Sequence, residues 1–480
     1  MKETYVLVID MGTTSVKALA VNKEMRVFHK DSQSNRTQRA AGGKQEQDPY
    51  RLWQNVKQAI TNLIKKCGQP EALCFSSAMH TLIGVDALGK ALTPILLWSD
   101  NRAIPQASAL RSIDVGKKFY ALSGTPVHPM SPLVKLKWWE TEHPTLFKQI
   151  NYWVGIKSWV IYQMTGDWYC DYSMASGTGM LDAKSKSWME AALLYAGIKA
   201  GQLPQLVDTS FRLPAWKKEV ATAVGIDETV PMIMGGADGP LANWGAEVDD
   251  RKIPVLTIGT SGAMRLSIPE YRTDKGQKLF CYYLNNESYI IGGASNNGGN
   301  VFEWMRSVFG VEDIEKELEK TPVGAEGLFF IPYINGERAP LWDARCSGSF
   351  EGIQTIHRRA HFVRAVLEGV MLNMWMIGEE LESFSGRAFE KIFVCGGFLK
   401  SVGWAQILAD ISGKSLIKGE QEDASGLGAA RIAWTTLGIM MKRKQKAGIY
   451  LKYNLENHQK YRLIFESFKA IVRLKLENTE

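Results

Sequence analysis

Apolar residues come in short dense runs, and the runs alternate with segments of helical spacing. Residues 4–10 open the series. Tyr5, Val6, Leu7, Val8 and Ile9 are continuous and mostly β-branched or aromatic, which predicts a buried strand. Residues 16–21 and 25–29 predict two further strands, with Asn22-Lys-Glu24 as the turn between them. Asp48-Pro49 sets a helix start, a capping carboxylate followed by a proline suited to the first turn. Trp53, Val56, Ile60, Leu63 and Ile64 then give that helix one apolar face. Residues 72–76 read as a strand that delivers Ala78-Met79-His80. From 103 to 200 the patterns are helical, broken by Pro, Gly and Asn, and tryptophans such as Trp138, Trp153 and Trp159 are assigned to the core. Residues 230–234 form a strand that ends in Gly235-Gly-Ala-Asp238-Gly-Pro240. That reads as a strand–turn–helix junction with Asp238 at its tip and Pro240 at the first helical position.

The pattern then starts again. Residues 254–258 predict a strand, Gly259-Thr-Ser-Gly262 a tight turn, and 263–268, 282–284 and 289–291 more strands. A long helix over about 359–382 carries Val363, Val366, Leu367, Val370, Met371, Met374 and Leu381 along one face. Residues 391–395 are a strand running into Gly396-Gly397, and 404–411 are helical. The repetition predicts two related α/β halves, 1–250 and 251–440, followed by a helical extension over 441–480. The basic run Lys442-Arg-Lys444 with Lys446 in that extension reads as a solvated face.

Composition narrows the partners. With 480 residues, 45% hydrophobic and 22% charged, the chain is an ordinary globular one. A net charge of +7 suits anionic small molecules and falls short of a nucleic-acid surface. The six cysteines form no CxxC pair and no zinc spacing, so free thiols in a reducing cytoplasm are expected. The N-terminal apolar run is too short for a signal peptide, and no stretch is long enough to span a membrane.

Three strands each run into glycine with small polar residues: Ile9-Asp-Met-Gly-Thr-Thr-Ser15, Leu256-Thr-Ile-Gly-Thr-Ser-Gly262 and Phe393-Val-Cys-Gly-Gly-Phe398. Glycine lets backbone approach a phosphate, and exposed N–H groups make anion-binding nests. None is a Walker loop or a dinucleotide fingerprint. Asp10, beside the first turn, suits Mg²⁺, which needs only one or two carboxylates; a turn-forming aspartate is the plainer alternative. Asp238 reads as a general base for phosphoryl transfer, or taken alone as a helix-capping aspartate in a glycine-rich turn.

Together these stretches resemble the FGGY family of carbohydrate kinases over about residues 4–440. Ile9–Lys17 and Thr257–Gly262 resemble its two phosphate motifs, and Val394–Ser401 its adenosine motif. Met130–Trp138 resembles a family signature, with Trp139 where an aliphatic residue is usual, and Gly336-Glu-Arg-Ala-Pro340 fits the second domain. Within the family, Ser76–His80, Trp98–Ala103, Gly124–Met130, Asp171–Ser176 and Asn296–Gly299 resemble the gluconate-phosphorylating branch. The resemblance implies an α/β fold of two actin-like, ribonuclease-H-like domains around a cleft, with sugar held mainly by the first and MgATP by the second. It implies Asp238 as base and Asp10 as the Mg²⁺-associated acid. Gly12, Thr13, Thr14, Ser15, Gly259, Thr260, Gly299, Gly396, Gly397 and Ser401 fall at nucleotide positions, and Met79 and His80 at the sugar. Family habit suggests a homodimer.

A gluconate pocket should offer a cation or N–H donors. Arg102 of the Ser99-Asp100-Asn-Arg102 cluster fits a carboxylate fork, or else a salt bridge to Asp100. His80 is assigned a hydrogen bond to a sugar hydroxyl and His128 a structural role, while Arg338 either orients the cleft or stacks at the domain junction. Three rivals stand beside this reading: another sugar kinase such as a xylulose kinase, a non-catalytic sugar-sensing protein of actin-like fold, and an actin- or chaperone-like ATPase with a protein partner.

Overall fold

The computed structural model of the chain describes residues 3–246, 250–419, 423–441 and 448–477. Among the described residues, one sheet has five strands in the order Met232–Ala237, Ala72–Ser77, Tyr5–Met11, Ser15–Asn22, Val27–Ser34. The last three are antiparallel neighbours, and the first two run parallel to Tyr5–Met11. The second sheet, of seven strands, repeats that order. Val255–Ile258, Gly262–Ile268 and Ser288–Ser295 form its antiparallel side, and Lys391–Gly396 and Ser415–Lys418 run parallel on the other. Phe280–Asn285 and Ile449–Leu451 add one edge strand each. The repeated pattern in the sequence is thus two ribonuclease-H-like units in an actin-like pair.

Tyr5–Met11 lies at the centre of its sheet and is buried on both faces, as an uninterrupted apolar run requires. Tyr5, Leu7 and Ile9 pack with Leu52, Val56, Ile60 and Leu63 of helix Pro49–Cys67, whose cap Asp48 accepts hydrogen bonds from the Tyr50 and Arg51 amides. Each such side chain contributes roughly 1.5–3 kcal/mol by leaving water. Val6 and Val8 face the other way, onto Leu427, Ala430 and Trp434 of helix Ala424–Thr436. That helix comes from the second half of the chain, yet it lies on the first sheet and crosses helix Asp238–Gly245. The crossing is backbone against backbone: a methyl on Gly428 would sit 2.2 Å from the Leu241 carbonyl oxygen, and one on Gly245 1.9 Å from that of Ala424.

Two expectations change. The strand before Asp238 does not end in a loop, because it runs on through both glycines to Ala237, and the helix begins at Asp238 itself. Pro240 is therefore the third helical residue, not the first. Gly235 makes this possible by adopting φ +65° at a bulge where a side chain would lie 1.8 Å from the Phe75 oxygen. The extension over 441–480 is also not wholly helical. Among its described residues Ile449–Leu451 pairs with Ser415–Lys418, and Leu455–Glu477 is the one helix, seated by Tyr461, Phe465, Phe468 and Val472. The basic run at 442–446 lies outside the described residues.

Candidate active site

Strand register explains why the two acids meet. Asp10 stands level with Ser76, and Ser76 with Gly236. Asp10 and Asp238 therefore leave the carboxyl edge of parallel strands two spacings apart, roughly 10 Å between backbones. Ligands gather beyond such edges. Asp238 opens partly to the cleft, and one of its oxygens accepts the Gly239 amide at 2.8 Å. Burial pushes its carboxyl from 3.8 up to about 6, and the Asp10 charge pushes the same way, while the Gly239 amide and Arg265 pull it back. Asp10 is buried and is also raised, chiefly by burial, although the hydroxyls of Ser76 and Ser425 and the Lys17 charge oppose the shift. The Ser425 hydroxyl donates to it at 3.0 Å from the start of helix Ala424–Thr436. Among the described residues no group of three or more His, Cys, Asp or Glu is arranged to hold a metal. A magnesium ion, which keeps several of its waters and needs only one or two carboxylates, would fit a site of this kind, with Asp10 as its protein ligand.

Two of the glycine turns lie at the equivalent edge of the second sheet. Ile258 is level with Gly396, so the turns at 259–262 and 396–397 are neighbours. Gly259, Thr260, Gly396 and Gly397 are exposed. The Gly299 amide donates to the Gly259 oxygen at 2.8 Å, and a methyl on Gly299 would stand 2.5 Å from that oxygen. Only glycine lets helix Gly299–Phe309 start this close to the turn. Gly12 closes its own turn through a 3.0 Å bond to Ser15, and Thr14 is exposed. Thr13 is tied inward: its hydroxyl accepts from the Trp98 indole at 3.1 Å and its carbonyl from Gln47 at 2.6 Å. Ser401 is buried, caps helix Val402–Ser412 and donates to Glu315 at 2.7 Å.

On the other side stand Met79 and His80, both buried. His80 has φ +62°, a strained state for a side-chain-bearing residue and a mark of functional positions. Its carbonyl accepts from the buried Lys135 ammonium at 2.7 Å, and its Nδ1 meets the Gly177 carbonyl at 2.7 Å. Burial holds the ring near a pKa of about 3, so it is neutral, and Nδ1 carries the proton that the carbonyl needs. Arg102 takes the salt-bridge alternative: its guanidinium contacts Asp100 at 2.7 Å and Glu46 at 2.6 Å, and it stacks on Trp138. Asp100 is buried and spent on that pair and on the Gln45 amide. His128 is buried and accepts the Met130 amide, in keeping with a structural role. Arg338 stacks 4.7 Å over Trp98, joining the halves.

Arg265, Tyr282 and Ser425 escape a sequence reading. Arg265 interrupts the strand Gly262–Ile268 with a charge, and that interruption was the available signal. Ser425 sits in a run of small residues that marks close helix packing, but nothing local links it to Asp10.

Comparison with known proteins agrees with this geometry. Residues 5–245 match the N-terminal domain of the FGGY family of carbohydrate kinases, and 255–437 match its C-terminal domain. The chain belongs to the FGGY family of carbohydrate kinases. A gluconokinase from Bacillus licheniformis is 36% identical over 442 residues, covering 89% of this chain and 86% of that one. The crystal structure of a gluconate kinase from Lactobacillus acidophilus superposes with a TM-score of 0.92 at 30% identity, covering 98% of both chains. A ligand-bound xylulose kinase structure from the same organism gives the same values. The FGGY fold and its sugar-kinase activity thus stand for this chain, and the family implies a nucleotide phosphoryl donor. No helix among the described residues is long and apolar enough to cross a membrane.

Proposed function

We propose that this FGGY kinase transfers the γ-phosphoryl group of ATP to the terminal hydroxyl of a sugar acid, D-gluconate, giving 6-phospho-D-gluconate. The observation that carries the reading is the partly open Asp238, which leaves the carboxyl edge of the first sheet two strands from Asp10 and its glycine turn, with its carboxyl raised by burial to about 6. A base tuned near the working pH is ionised yet still basic enough to take a proton. Asp238 accepts the hydroxyl proton as that oxygen bonds to the γ-phosphorus and the bond to the departing ADP oxygen breaks. A bound magnesium ion supplies charge neutralisation on the phosphates, with Asp10 as its protein partner. Thr14 and Thr260, exposed on their turns, offer amides and hydroxyls to the phosphates, while Gly12, Thr13, Ser15 and Gly259 shape those turns. Gly299, Gly396 and Gly397 make room for the nucleotide, and Ser401 fixes the helix beside it. Met79 and His80 contact the sugar, with the His80 Nε2 accepting from a hydroxyl. Asp100 and Arg102 brace the pocket wall rather than touch substrate, since each already has its partner.

Gluconate is favoured by the 36% identity to a gluconokinase and by the gluconate-type motifs around Met79 and Asn296. Xylulose or a related ketose is the second reading, supported by the equal superposition on a xylulose kinase. The six free cysteines suit a reducing compartment, and we place the enzyme in the cytoplasm. The test is a coupled ADP-release assay with gluconate, xylulose, a polyol and no sugar. Gluconate should give the highest kcat/KM, a preference for xylulose would replace the substrate, and full turnover without sugar would make the protein an ATPase.

A further inference from the structure

The second half of the chain places two guanidiniums within electrostatic reach of Asp238. Arg265 and Arg338 each have a buried Nε without a hydrogen-bond partner among the described residues, and the Tyr282 hydroxyl is in the same condition. The three form one group. Tyr282 feels both guanidiniums, and both guanidiniums feel Asp238. Arg265 Nη2 lies 3.6 Å from where a methyl on Gly239 would stand, which sets it beside the candidate base. The Tyr282 ring is 5.8 Å from that of His80, and Arg338 lies over Trp98, so the group extends from the base to the sugar-side residues. Arg338 spends one nitrogen on the Ser295 carbonyl at 3.1 Å. The neighbouring carboxylate Glu337 attracts Arg338 through space, while its oxygens are taken up by other donors. It accepts from Ser295, Asn296, Asn297, Asn373 and the Arg338 amide. Two guanidinium Nε donors and the Tyr282 hydroxyl are therefore left without a protein acceptor among the described residues, an arrangement that is costly unless a further anion completes it.

We propose that Arg265 and Arg338, with the Tyr282 hydroxyl, receive the carboxylate of the acceptor, so that the cleft selects a sugar acid over a neutral ketose. The inference rests on the sugar-acid reading above. It replaces Arg102, whose charge is met by Asp100 and Glu46, as the substrate's cation. It also makes the acid a bridge between the halves, with its hydroxyls on the His80 side and its carboxylate on the second sheet. The other anion such a receptor fits is the γ-phosphate, and the experiment separates the two.

KM and kcat are measured for gluconate, D-xylulose and ATP in the wild type, Arg265→Met, Arg265→Lys and Tyr282→Phe, together with calorimetric gluconate binding without nucleotide. Loss of a charge-assisted hydrogen bond predicts a KM for gluconate higher by about 10- to 100-fold in Arg265→Met and by several-fold in Tyr282→Phe. Partial recovery is expected in Arg265→Lys, which keeps the charge without the fork. The KM for ATP should stay within about twofold, and gluconate binding should weaken in parallel with its KM. If Arg265→Met shows no melting transition, Arg265→Lys and Tyr282→Phe carry the same criteria. A rise in the KM for ATP with gluconate unchanged would assign the group to the phosphate and overturn the inference. A wild type that takes gluconate while the variants keep its KM sinks the inference alone; a wild type that ignores gluconate sinks the sugar-acid reading with it.

Discussion

Replacing Asp238 with Asn should abolish turnover and make the protein more stable. Burial, reinforced by Asp10, raises this carboxyl from 3.8 to about 6. A carboxyl whose folded value lies above its unfolded one stabilises the fold only while protonated. That contribution is complete below about 4 and is lost as pH rises through about 6. At pH 7.5 the wild type therefore carries an ionised group that the fold resists. A rise of that size corresponds to about 3 kcal/mol, and the opening of Asp238 to the cleft screens this to about 1–2 kcal/mol. Asn keeps the shape and an oxygen for the Gly239 amide, so the variant recovers most of that energy. Thermal unfolding at pH 7.5 should show a Tm higher by a few degrees, and the gain should shrink as pH falls from 6 towards 4. In the same preparations kcat should fall by roughly 10²- to 10⁴-fold, the usual contribution of a general base. Wild-type kcat/KM should decline about tenfold per pH unit below about 6. An unchanged or lower Tm at pH 7.5, or a gain that does not vary with pH, would refute the assignment of the raised value to burial of this carboxyl.

Two further outcomes follow from the same geometry. Asp10→Asn should raise the magnesium concentration needed for half-maximal rate. It should also move the acidic limb of the pH profile below about 6, because it removes a charge that pushes Asp238 up. An unchanged magnesium titration counts against its role. Gly299→Ala should raise the KM for ATP by at least roughly tenfold and leave gluconate binding intact, since the added methyl falls 2.5 Å from the Gly259 oxygen and must spread the turn. Unaltered ATP kinetics would show that the turn does not hold the nucleotide.

Local pattern carried most of the fold into view. The run from Tyr5 to Ile9 and the Asp48-Pro49 cap declare themselves within a few residues, and helix Arg359–Ser385 was legible as a helix, although it is buried on all sides over 363–375 rather than along one face. The glycine turns were legible too, and so was the duplication they mark. Elements held by distant contacts were not. Ile449–Leu451 is three residues long, too short for a period to emerge, and it is a strand only because Ser415–Lys418 offers an edge. The bulge at Gly235 depends on the Phe75 carbonyl, and the sequence of its own strand says nothing of that neighbour.

The site divides along the same line. Positions set by backbone shape, such as the close approach of Gly299 to Gly259, are marked in the sequence by glycine itself. Side chains whose role follows from charge balance are not so marked, because that balance is summed over the whole fold. Arg102 fitted a substrate carboxylate or a salt bridge to Asp100 equally well until Glu46 and Asp100 were seen to claim it. Arg265 looked like a strand residue until no partner met its Nε. Asp10 carries the point furthest. Its hydrogen-bond donor Ser425 is 415 positions away, and nearby Asp423 pairs with Lys17 and Lys30 on the first sheet. Helix Ala424–Thr436 thus brings a residue from the second half to the acid at the end of the first strand. The state of that carboxylate therefore depends on how the halves sit together, which no stretch of sequence around it records.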